Sequence, residues 1–221
     1  MSAPSLPPLP PELRDRVLAA VEREPVPVRA VGARHRRRAV ALGFGSMLVT
    51  LAILARAHDR PYGYIAALFV TWLPIAAAAT WAGVGQGRSM LGRPAGWLVA
   101  VVALTPVALL AGWAAVAMAW PSTLHDASGV HQHVVCIVGT LLFSIGPLLA
   151  FSRLRRGTDP VTPRLTAAAL GTAAAAWAAL ALHLVCGFTA PVHILLGHVA
   201  PVAFAALLAA LLLSRRVAVR S

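Results

Sequence analysis

Six stretches of this chain, each close to the length that crosses a lipid bilayer, carry no Arg, Asp or Glu in their interiors. They fall at 39–55, 62–82, 96–120, 133–151, 165–186 and 192–213. A hydrocarbon core of about 30 Å needs about 20 apolar helical residues to span it. Lipid offers no hydrogen-bond partners, so each run has to satisfy its own backbone as a helix. The predicted fold is therefore all-α, a polytopic bundle of six transmembrane helices over 39–213. A tail at 1–38 precedes it and a short basic tail at 214–221 follows. With only 12% of 221 residues charged, against about a quarter in soluble chains, a soluble domain is excluded, as are intrinsic disorder, collagen and a disulfide scaffold.

The connections carry turn chemistry: Arg60-Pro61, a Gly-rich stretch at 83–96, Pro121-Ser122-Thr123 and Thr158-Asp159-Pro160. Pro74, Pro106, Pro147 and Pro201 lie inside spans, where each frees a carbonyl that a neighbouring group has to pair. In the fifth span Ala167, Gly171, Ala175 and Ala179 recur every four residues and predict one smooth face for close helix approach. Tyr62, Tyr64, Trp81, Trp97 and Trp120 sit near span ends and are expected as interfacial anchors.

All 19 basic residues are arginine and the formal net charge is +12. Assigned to alternate sides of the membrane, seventeen arginines fall with the two termini and two on the opposite side. Positive charge marks the cytoplasmic side, so both termini are expected in the cytoplasm. The basic balance is then a matter of orientation, and no direct nucleic-acid binding is expected. The cluster Arg34 to Arg38, broken only by His35, reads as a topology anchor and a contact for anionic membrane lipids.

The tail holds four of the seven acids and is the one soluble part. Pro10 and Pro11 ahead of Glu12, and Pro25 and Pro27 beyond Glu24, delimit a candidate helix at 12–24. Leu13, Val17, Leu18 and Val21 share one face, with Arg14 and Arg16 among the charged residues flanking it. So short a helix is marginal alone in water and needs a surface for that stripe. Its polar face mixes signs where a membrane-surface helix would be strongly cationic, which favours a protein partner.

Seven of the eight histidines and both cysteines map to the outer side. Cys136 lies one turn into the fourth span and Cys186 at the outer end of the fifth, at similar depth. Three readings stay open: inert packing, a structural or redox-responsive pair, and soft-ligand chemistry suited to zinc or copper. Cys136, Cys186, His183 and His198 are the candidate sensing or redox residues. His131, His133 and His193 are weaker metal candidates, with no metal assigned and no cofactor expected. His183 and Cys186 share a helical face at i, i+3, whereas His193 and His198 do so only where the helix is irregular. His183 with His198 is the one pair that a haem would use, so a haem- or metal-binding membrane electron-transfer or sensor protein is the competing function. No pair of acids is placed for acid-base work and Gly83-x-Gly85-x-Gly87 lacks the context of a nucleotide loop, so no enzyme is expected.

Several segments resemble one family. Its carriers are Pro-Glu-Leu-Arg-Asp-Arg-Val-Leu-Ala-Ala-Val at 11–21, Cys136 followed by Pro147 and Arg155-Arg156-Gly157, Leu182-His183-Leu184-Val185-Cys186, and Gly197-His198. Together they resemble the NrsF-type six-span membrane anti-sigma factors of bacteria. The family often sets His and Cys side by side at the end of the fifth span, whereas two residues separate them here. The resemblance implies a protein of the bacterial inner membrane whose tail sequesters an extracytoplasmic-function sigma factor. It also implies release on a signal such as light or oxidative stress, with stress-response or carotenoid genes as the output.

Overall fold

The computed structural model describes Pro10, Glu12, Asp15, Arg16, Ala19 and residues 32–54, 61–85, 93–120, 129–159 and 161–218. Among them the architecture is all-α as predicted, and six helices are long and apolar enough to cross a membrane. These are α1 (Ala33–Leu54), α2 (Tyr62–Val84), α3 (Ala95–Ala119), α4 (Val130–Leu154), α5 (Pro163–Val185) and α6 (Pro191–Val217). They run alternately up and down, so that one face of the bundle carries the start of α1 and the end of α6. That face is called terminal and the opposite one distal.

The helices reproduce the charge-free runs to within a few residues, and most extend beyond them. The largest extension is in α1, which takes in Arg34 to Arg38. Lipid excludes charge but the helix does not, and long arginine side chains reach back along the bundle. The Arg36 guanidinium accordingly sits over the Trp81 ring, 5.2 Å from its centroid.

The fifth helix is the axis of the fold. It packs against all five others, and 94% of its most apolar stretch is buried, against 22% to 50% elsewhere. The sequence pattern predicts one smooth face on α5; the structure buries every face. Small residues make this possible, because they let the backbones of α2 and α6 come within contact distance. A Cβ on Gly171 would stand 2.5 Å from the Ala205 carbonyl oxygen of α6. One on Gly83 of α2 would stand 3.1 Å from the Ala169 oxygen, and one on Gly43 of α1 would overlap the Trp177 indole. Trp177, the one large aromatic of α5, donates its indole N–H to the Thr80 hydroxyl at 2.8 Å, tying α5 to α2.

Tyr64 also departs from expectation. It is fully buried, packed edge-on against Trp120, with its hydroxyl 3.5 Å from His183 Nε2. Proximity to a span end suggests an interfacial ring, but its face of α2 points into the bundle. Tyr62, Trp81 and Trp97 do lie exposed at helix ends. On the outside, Ile53, Val70, Leu104, Leu142 and Leu211 are each more than half exposed. Such a surface suits lipid and would drive association in water.

At the terminal face, Gly157 takes the left-handed conformation (φ +64°) that ends α4. The turn then pairs with the end of α6: the amides of Thr158 and Asp159 both donate to the Val217 carbonyl, at 3.0 and 3.1 Å. The Asp159 carboxylate accepts the amides of Val161 and Thr162 at 3.0 and 2.8 Å, and accepts the Thr166 hydroxyl. It also stands 3.7 Å from the Arg155 guanidinium, both side chains being 1% exposed. Burial holds the Arg155 pKa down at about 10, an effect that the Asp159 charge opposes. Asp159 is therefore a structural counter-charge, in keeping with its lack of a carboxylate partner for catalysis.

Candidate functional site

The cysteines and three of the histidines converge inside the distal end of the bundle. Cys136 stands on α4, Cys186 immediately follows α5, and His193 and His198 lie in the first turns of α6. Cys136 Sγ and Cys186 Sγ are 3.7 Å apart, far beyond the roughly 2.05 Å of a disulfide, so both are thiols. His193 Nε2 lies 3.2 Å from Cys186 Sγ. One ligating atom from each of Cys136, Cys186, His193 and His198 falls within 4.8 Å of the other three, and all four residues are buried.

His193 and His198 are five residues apart, about 140° apart around a regular helix of 3.6 residues per turn. They meet because α6 contains a π turn at Leu195–Val199, in which the Ala200 amide bonds back to the Leu195 carbonyl. The wider turn winds through about one revolution in five residues, and the two imidazoles pack with centroids 5.4 Å apart. The local cause is legible. Pro201 has no N–H to offer the Gly197 carbonyl; the Thr140 hydroxyl of α4, which also donates to the Cys136 carbonyl at 2.8 Å, reaches that oxygen at 3.2 Å and shares its proton between the two. Gly197 also lets α4 approach, since a Cβ there would come within 3.1 Å of the Cys136 Cβ.

His183, His133 and His131 lie around this group. His183 is fully buried, stacked on Trp72 at 5.0 Å and 17°, and meets His198 edge-on at 5.0 Å. Two imidazoles in direct ring contact, one of them also capped by Trp72, leave no slot for a porphyrin between them. In this arrangement the rings of the nominated pair pack on each other. His133 lies against His193 with centroids 4.9 Å apart, its Nδ1 2.9 Å from the Gly129 carbonyl. His131 is exposed, and it lines a cavity of about 480 Å³ whose wall includes Cys136 and Cys186.

The structure therefore brings together the four candidate sensing residues, Cys136, Cys186, His183 and His198, but adds His193 to the inner group and sets His183 on its flank. Sequence reasoning missed Tyr64, Trp72 and Thr140 as neighbours of the site. For Thr140 the signal was present, because Pro201 frees a carbonyl that some side chain has to pair. In the tail, Glu12, Asp15, Arg16 and Ala19 are helical and Arg16 is exposed. Leu13, Arg14, Val17, Leu18 and Val21 lie outside the described residues, as do His58 and His125.

Six apolar helices around a small-residue axis define a multi-pass membrane protein whose thiols and imidazoles gather at one end. The profile of the NrsF family, described as negative regulator of sigma F, matches residues 18–218. The chain belongs to that family, and is on that ground a negative regulator of a sigma factor. No curated protein and no solved structure matches it.

Proposed function

We propose that this chain holds an extracytoplasmic-function sigma factor on its N-terminal tail at the bacterial inner membrane and releases it when the distal cysteine and histidine cluster registers a signal such as oxidative stress or light. The observation that carries this reading is family membership across nearly the whole chain. The arginine asymmetry supports a cytoplasmic tail, and a match beginning at residue 18 includes part of the amphipathic segment. In this reading Leu13, Val17, Leu18 and Val21 form the docking stripe, and Arg14 and Arg16 flank it and set charge specificity. The transmembrane bundle is the tether and the signal receiver, with lipids as its other partner.

Burying a large aliphatic side chain yields about 1.5 to 3 kcal/mol before ordering costs. Four such residues contribute several kcal/mol to docking, and two carboxylates in the stripe would abolish that contribution. The test is co-purification of the full-length chain with the sigma factor whose gene adjoins its own. Leu13→Asp with Val17→Asp is expected to eliminate recovery of the sigma factor while leaving the bundle intact. Undiminished recovery would refute the proposed face.

A further inference from the structure

The distal cluster has the geometry of a closed metal site. A tetrahedral ion bound at about 2.3 Å to sulfur and 2.0 to 2.1 Å to nitrogen sets S···S near 3.8 Å and S···N near 3.5 Å. Cys136 and Cys186 show 3.7 Å between sulfurs, and Cys186 and His193 show 3.2 Å between sulfur and nitrogen. Two of the edges of such a polyhedron are already in place, and closing the widest separation, 4.8 Å, takes a shift of little more than 1 Å.

From these distances we propose that Cys136, Cys186, His193 and His198 bind one divalent d10 cation of the zinc class in tetrahedral S2N2 coordination.

Charge selects the ion. Each thiol gives up its proton to water at the distal face on binding, so two thiolates and two neutral imidazoles around a 2+ ion sum to zero. A neutral assembly is the one a membrane interior accommodates without an uncompensated charge. A monovalent ion in the same ligand set would leave a net negative charge there, and hard cations that prefer oxygen find no carboxylate in the group. Further support comes from around the four ligands. The 480 Å³ cavity, with His131 near the distal face, brings open space to the two cysteines in its wall.

The ligands come from three helices, so binding would pin α4, α5 and α6 together at the distal end, and α5 touches every other helix. This names the ligand class of the sensing end proposed above. For its role it rests on that reading, but the site itself stands or falls without a sigma factor.

The experiment uses the full-length protein, purified in detergent, reduced and stripped of metal, then titrated with Zn2+ against a chromophoric chelator and separately with Co2+. One ion per chain with an apparent Kd below about 1 µM is expected, and the Co2+ form should show intense visible bands of a tetrahedral thiolate site. Zn2+ should shield both cysteines from maleimide in the unmodified protein, a readout that no mutation can confuse with misfolding. Cys136→Ser and His198→Ala should each weaken binding by at least about 100-fold, whereas His131→Ala should keep the stoichiometry. Absence of a stoichiometric ion, octahedral Co2+ spectra, or maleimide labelling unchanged by Zn2+ would each overturn the proposal. Sigma-factor recovery is a separate measurement, so loss of one result leaves the other intact.

Discussion

At Gly171 the backbone of α6 comes within 2.5 Å of where a Cβ would stand, and replacing the glycine by alanine tests the central packing directly. In an open helix this change helps: removing glycine gains about 0.5 to 1 kcal/mol by restricting the unfolded backbone. Gly45 in α1 has no atom within 4 Å of an added Cβ, so Gly45→Ala is expected to be neutral or stabilising by that amount. At Gly171 the new Cβ would meet the Ala205 oxygen at 2.5 Å and the Ala209 Cβ at 2.7 Å. Ordinary contact begins near 3.4 Å, so α5 and α6 have to part by close to 1 Å. Overpacking of this kind costs about 1 to 3 kcal/mol. Because the Ala205 oxygen belongs to the backbone, no rotamer change relieves it. Set against the propensity gain, Gly171→Ala should be net destabilising, and the two variants should differ by about 1 to 3 kcal/mol. Reversible unfolding in mixed micelles, followed by tryptophan fluorescence, measures the difference. Ala209→Gly in the Gly171→Ala background should recover part of the loss by removing one of the two obstructions. Equal stability of the two single variants, within about 0.5 kcal/mol, would refute the placement of α5 against α6, since that is the scatter of surface substitutions.

Two further outcomes follow from buried polar pairs. Asp159→Asn keeps an acceptor for the Val161 and Thr162 amides but leaves the Arg155 charge without its counter-ion, so a loss of about 3 to 5 kcal/mol is expected. The sign with pH is fixed by Arg155: its folded pKa, about 10, lies below the ordinary 12.5, so the folded state binds fewer protons between those values. The burial penalty is constant below the folded pKa and is relieved as pH rises through it. Loss of Asp159 lowers that pKa further, so the variant should regain part of its stability at a lower pH than the parent does, measured by the same unfolding assay from pH 7 to 10. Thr140→Val removes the donor to the Gly197 carbonyl with little change of shape and should cost about 1 kcal/mol. It should also loosen the π turn, seen as faster amide exchange at Leu195–Val199.

Much of the architecture is legible without a structure, and the reason is the cost of charge in lipid. That cost makes charge-free runs mark the spans. Depth could be read in the same way, which is why Cys136 and Cys186 were recognisable as neighbours in level. Rotation about each helix could not. In a soluble bundle a polar face tells the inside from the outside, but here lipid-facing Leu142 and Leu211 are as apolar as the buried Leu68 and Leu180. The sequence therefore left open which helix is central, and it placed Tyr64 at the interface when it is in the core.

The chain alone determined a six-span helical membrane protein. Tertiary structure decided that α5 is the axis and that two cysteines and two histidines form one group. A regular helical period carries His193 and His198 apart; a π turn, set by Pro201 and paired through Thr140, brings them to one side. The missing N–H belongs to α6 alone, but the hydroxyl that reaches the freed carbonyl comes from α4, and which side chain does so is information held in the packing of the two helices.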